Sequence, residues 1–112
     1  MDLYNELEYK IKELNTSIEL LRTTGTKYAE AERDYKIILR QEALKLRTEK
    51  NMPVTLINQI IFGVPEVAEK RFKRDVAEAM YETNKENVMS LKLQIRVAEG
   101  QLNREWGNRY DN

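Results

Sequence analysis

Apolar residues in the first half of the chain recur in helical steps. Leu3, Leu7, Ile11, Leu14, Ile18 and Leu21 stand four, four, three, four and three residues apart, which draws one stripe down an α-helix. Three-four spacing of this kind is the seam of a coiled coil. Asp2 suits the N-cap, and Glu6 and Glu8 sit near the positive end of the helix dipole. Thr23, Thr24, Gly25 and Thr26 then interrupt the stripe with β-branched residues around a glycine, so a bend or break is expected there. From Lys27 the pattern resumes through Tyr28, Ala31, Tyr35, Ile38, Leu39, Ala43 and Leu46, and it fades at Lys50 and Asn51.

A shorter element follows. Proline suits a helix start and glycine its end, so the VTLINQIIF run between Pro53 and Gly63 reads as a short helix between two turns. A strand is the lesser reading, because Leu, Ile and Val also favour sheets. The last segment runs from Pro65 to about Trp106 and carries Val88, Leu91, Ile95, Ala98 and Leu102 in three-four-three-four steps. Gly100 lies off that seam and does not end the helix. Gly107-Asn108 is the expected stop.

These lengths predict an all-α fold. A bent helix over residues 1–50 would span about 75 Å and one over 65–106 about 63 Å, so the two match when folded back at a 52–64 connector. The expected architecture is a long antiparallel helical hairpin, coiled-coil-like, with a short helix at its closed end and a short tail over 107–112, in a single domain. Its register would set Leu21 near Ile95, Ile18 near Ala98, Ile11 and Leu14 near Leu102, and Ile38 near Ala77. The alternative is a turn at Gly25 and a three-helix bundle. In the hairpin, Leu93, Val97, Tyr4, Tyr9 and Leu20 fall off the main seams, and self-association into a homo-oligomer would cover them.

Composition narrows the chemistry. The chain of 112 residues has no cysteine and no histidine, which removes disulfides, thiolate ligands, the commonest general base and the commonest transition-metal ligand. Carboxylates at Glu66, Glu69, Asp75, Glu78, Glu82 and Glu86 lack the histidines that di-metal bundles add. No phosphate-cradling glycine loop or nucleophile elbow occurs. We therefore expect no enzyme activity, no cofactor and no metal. The opening MDLYNELEYK has no basic start before an apolar run, and no apolar stretch reaches membrane-spanning length, so a cytoplasmic protein without membrane contact is expected.

Lys plus Arg and Asp plus Glu both number 19, yet the charges are unevenly spread. Residues 33–75 hold ten basic and six acidic side chains, net +4, against −3 for residues 1–32 and −1 for residues 76–112. In the hairpin this sets a basic closed end. Arg47, Lys50, Lys70, Arg71, Lys73 and Arg74 are its candidate contacts to phosphates or an acidic partner. Against that, i, i+4 pairs such as Arg71 with Asp75 or Glu66 with Lys70 would neutralise several of them. Leu56, Ile57, Ile60, Ile61 and Phe62 in the connector are the candidate apolar docking surface, or else a plug for the end of the hairpin. Tyr28, Tyr35 and Tyr81 read as core or rim rather than as a stacking platform.

The order of phrases along residues 28–107 carries a resemblance. AEAERDYKIILRQEALKLR, MPVTLI, GVPEVAEKRFKRDVAEAMYE and LKLQIRVAEGQLNREWG resemble small all-helical proteins of unknown function encoded by phages and prophages of Gram-positive bacteria. The resemblance implies a phage-encoded protein of the host cytoplasm and brings no catalytic residue with it. The expected function is a non-enzymatic interaction protein, self-associating and acting on phage DNA metabolism or on a host protein. Direct nucleic-acid binding through the basic closed end is the second expectation.

Overall fold

The computed structural model describes residues 2–110, with side chains through 107; residues 111 and 112 of the expected tail lie outside the described residues. The fold is all-α. Helix α1 spans Leu3–Glu49, helix α2 spans Val54–Ile60 and runs into a single 3-10 turn at Ile61–Gly63, and helix α3 spans Pro65–Tyr110. This is a helical hairpin, not a three-helix bundle, because α1 passes through Gly25 without a turn. Its chain divides into two compact units. Unit 1 joins residues 1–23 to 82–112, and unit 2 comprises residues 24–81.

Local chemistry sets the helix ends. Asp2 caps α1, its Oδ1 accepting the Asn5 backbone N–H at 2.8 Å. At the other end Asn51 takes a left-handed φ of 51°, and the Met52 N–H reaches back to the Leu46 carbonyl at 3.2 Å. Asparagine is one of the few residues that tolerate this conformation. Pro53 caps α2 in extended geometry, and its carbonyl accepts from Leu56 and Ile57. The expected stop at Gly107-Asn108 does not occur. No described glycine adopts a positive φ, and Gly107 keeps helical backbone to Tyr110; glycine permits a stop without compelling one.

Both long helices turn inward in strict three-four alternation. In unit 1 the inward positions of α1 are Leu3, Leu7, Lys10, Leu14, Ser17 and Leu21, and those of α3 are Asn84, Val88, Leu91, Ile95, Ala98 and Leu102. Ile11 and Ile18, counted in the seam by apolarity, lie beside it, 40% and 37% exposed. In unit 2 the same alternation continues through Thr24, Tyr28, Ala31, Tyr35 and Ile38, facing Val67, Lys70, Arg74, Ala77 and Tyr81. A 3.5-residue repeat of this kind keeps one seam facing its partner.

The register differs from the expected one. In unit 1 Ser17 bonds Asn84 and Asn87, and Lys10 bonds Gln94, so α3 is displaced about three and a half turns from the pairing of Ile18 with Ala98. In unit 2 Arg74 meets Glu32 and Tyr35, a displacement of about two turns from the pairing of Ile38 with Ala77. The connector is the physical cause in unit 2. Ile57 and Ile61 pack with Tyr35 and Val67, and Leu39, Ala43, Leu46, Met52 and Val64 close around them. The last turns of α1 are thus occupied by α2, and α3 begins its own contact with α1 farther from the closed end. Burying Ile57, Ile61 and Val67 stabilises this end by roughly 1.5–3 kcal/mol per side chain.

Gly25 has a packing role. A Cβ built there would stand 3.2 Å from Cε1 of Tyr81, whose ring lies 5.9 Å from that of Tyr28 between centroids. The missing side chain lets the Tyr81 ring rest against the α1 backbone. That aromatic contact opposes the propensity cost of about 1 kcal/mol and keeps the helix continuous.

Candidate interaction surface

The connector divides its five candidate residues by burial. Ile57 and Ile61 are inside, at 6% and 4% exposure, and act as the plug. Leu56, Ile60 and Phe62 are 41%, 39% and 45% exposed, and Val54 joins them at 57%. A seven-residue helix has two sides, and α2 anchors one and offers the other. The segment therefore divides, residue by residue, into a buried side and an exposed one.

The six basic candidates do not form one exposed patch. Arg74 is turned inward. Its Nη1 donates to Glu32 at 2.9 Å, its Nε donates to Asp75 at 2.7 Å, and its guanidinium lies 4.7 Å from the Tyr35 ring centroid. Arg47 closes the α1 terminus by donating to the Met52 carbonyl at 3.0 Å. Lys73 pairs with Glu69 at 3.7 Å, and Lys70 is half-buried in the seam. Lys50 is exposed on the bend after α1, and Arg71 sits with its guanidinium 4.9 Å over the ring of Phe62. Lys50 and Arg71 thus remain presented beside the exposed connector. The ion pairs suggested by spacing, Arg71 with Asp75 and Glu66 with Lys70, are replaced by Glu69 with Lys73 and by the long-range pair of Glu32 with Arg74.

Electrostatics follow the same geometry. The hydrogen bond from Arg74 holds the Glu32 carboxyl below the usual carboxylate range, and the charges of Arg74 and Lys36 add to it against partial burial. Arg74 is held above its ordinary value by Glu32 first and Asp75 second. This cluster of four side chains, Glu32, Tyr35, Arg74 and Asp75, ties α1 to α3 within unit 2 and leaves little cationic character for a ligand.

A second polar cluster lies in the seam of unit 1. Asn84 Nδ2 donates to both the carbonyl and Oγ of Ser17 at 3.1 Å, and Asn87 Nδ2 donates to the same Oγ at 2.9 Å. No buried side-chain polar atom among the described residues lacks a partner. Sequence reasoning missed this cluster, although a serine and an asparagine at inward heptad positions were its visible signal. Among the described residues no three acidic side chains converge as a metal site would need, and no helix is long and apolar enough to cross a membrane.

No protein-family model, curated protein or solved structure matches the chain. The geometry of its own surface is what bears on function.

Proposed function

We propose that this chain is a non-enzymatic helical interaction protein that self-associates and docks a partner protein at the closed end of unit 2. One observation carries the reading. Val54, Leu56, Ile60 and Phe62 stand exposed on an element pinned beneath by Ile57 and Ile61, so large apolar side chains are held rigidly outward. Rigid apolar anchors with a cationic rim are the composition of a protein-binding hot spot. The resemblance to phage-encoded helical proteins supports a setting in the host cytoplasm, with a phage or host protein as the partner.

The test is a photo-crosslinking residue placed at Leu56 in producing cells, with the same residue at Lys36 on the outside of α1 as control. A protein adduct specific to position 56 supports the reading. Absence of any adduct above the control overturns it.

A second reading, contact with nucleic acid, is favoured by one feature, the Arg71 guanidinium stacked on exposed Phe62. It calls for a titration of the chain with short duplexes and single strands at low salt. Because Arg47, Lys73 and Arg74 are engaged elsewhere, only Lys50, Lys70 and Arg71 remain to neutralise phosphates. A log-log salt slope no steeper than about three times 0.9 is then expected on duplex DNA. No binding at micromolar protein removes this reading.

A further inference from the structure

The outward side of α3 in unit 1 carries a stripe whose charges and apolar residues are arranged to complement a reversed copy of itself. Met89 and Leu93 are 63% and 60% exposed and, four residues apart, share one face of the helix. With Ser90 and Lys92 they form an open surface of α3 bounded by Glu86 towards one end and Arg96 towards the other. The side chains of Glu86 and Arg96 form no ion pair among the described residues. Ten residues separate them, about 15 Å along the axis, so they cannot meet within one helix.

The order along the stripe is acid, apolar, apolar, base, centred on the level of Leu91. A second α3 laid antiparallel about a two-fold axis at that level inverts the order. Met89 of each copy then meets Leu93 of the other, and Glu86 of each copy meets Arg96 of the other. This is the condition for an isologous interface, in which residue i contacts j and j contacts i. A stripe of one charge sign would call for a partner of the opposite sign. This one carries both signs, at opposite ends, and a copy of itself satisfies both ends at once.

We infer that the Glu86–Arg96 stripe is the interface of a homodimer of this chain, formed by an antiparallel contact between the two α3 helices. The inference rests on the self-association just proposed and assigns it to one surface, made of residues other than those of the connector.

The experiment is light scattering of the full chain at tens of micromolar, with helicity followed by circular dichroism. Wild type is expected at twice the 13.3 kDa chain mass. Leu93→Asp, at an exposed position, should give the monomer with helicity intact. Glu86→Arg and Arg96→Glu should each weaken the dimer about tenfold, since symmetry applies each reversal twice. The two combined should restore it, because the exchanged charges at positions 86 and 96 again face opposite signs across the two-fold axis. A partner of any other sequence would not reward that exchange. A dimer indifferent to Leu93→Asp, or a charge exchange that fails to rescue, overturns the interface and leaves self-association standing. A monomeric wild type overturns both.

Discussion

Arg74 offers the sharpest test of the structure, because sequence alone assigns it to a solvated basic patch and the structure makes it a strut. Replacing it with methionine keeps an unbranched apolar stem and removes the guanidinium and its charge. Three interactions go with the guanidinium. The bond to Glu32 at 2.9 Å joins side chains only 20% and 26% exposed, and a charge-assisted bond in such a place contributes about 1.5–3 kcal/mol. The stack on Tyr35 at 4.7 Å contributes about 0.5–1 kcal/mol, and the bond to the more exposed Asp75 adds less. Glu32 retains Lys36 at 3.5 Å, which offsets part of the loss. The expected cost is about 2–4 kcal/mol in urea unfolding at neutral pH. Lys73→Met, next to it in sequence, removes only an exposed pair and should cost under about 0.5 kcal/mol. The dependence on pH has a definite sign. Arg74 lowers the Glu32 pKa in the folded state, so the stability it confers is complete above the unfolded value of about 4.3 and is lost as pH falls through the lower folded value. The cost of Arg74→Met should therefore shrink in acid. Equal costs for Lys73→Met and Arg74→Met, or an Arg74→Met cost that stays constant into acid, would refute the assignment of Arg74 to the inter-helix cluster.

Further expectations concern the seam and the connector. Ile95→Asp puts an unpaired carboxylate at a buried seam position and should cost about 3–5 kcal/mol by denaturant unfolding, so a wild-type midpoint would contradict its inward placement. Asn84→Ala should cost about 1–3 kcal/mol, and Asn87→Ala, at an exposed position, clearly less; the reverse ranking would mean that Ser17 is held from the rim. Ile57→Ala should cost about 2–4 kcal/mol and Val54→Ser under about 1 kcal/mol, and similar values would dissolve the division of the connector into anchor and display. Gly25→Ala should be close to neutral in thermal midpoint, since about 1 kcal/mol of helix propensity is set against the 3.2 Å approach to Tyr81. In a Tyr81→Ala background the same change should stabilise.

Much of the secondary structure was legible from the chain, because the signals were local. Asp2, Pro53 and the Val88 to Leu102 spacing each act within a turn or two of their own position, and each element lies close to where they place it. What escaped depends on residues far apart in sequence. Gly25 in a threonine run reads as a break until Tyr81 is seen filling the space beside it. The basic end reads as a patch until Arg74 is seen against Glu32, 42 residues away. The division of the connector into buried Ile57 and Ile61 and exposed Leu56, Ile60 and Phe62 cannot be had from a run whose apolar residues fall on every side of so short a helix.

The register error in unit 1 begins with the choice of α1 positions, and that choice shows why the seam contains polar residues at all. Choosing α1 positions by apolarity selects Ile11 and Ile18, which gives steps of four and four at the start and rotates the stripe off the true face. The inward residues one step earlier are Lys10 and Ser17, whose polar ends bond Gln94 in one case and Asn84 with Asn87 in the other. Leucine against isoleucine packs nearly as well one heptad up or down, so an all-apolar seam would leave sliding by seven residues almost free. Moving α3 by one heptad would separate Asn84 from Ser17 and Arg74 from Glu32, and each buried donor left unmade costs about 1–3 kcal/mol. Two such clusters, one in each unit, penalise the slipped alignments that apolar residues alone would tolerate. The polar positions that mislead a reading by hydrophobicity are therefore the ones that select one alignment of the hairpin.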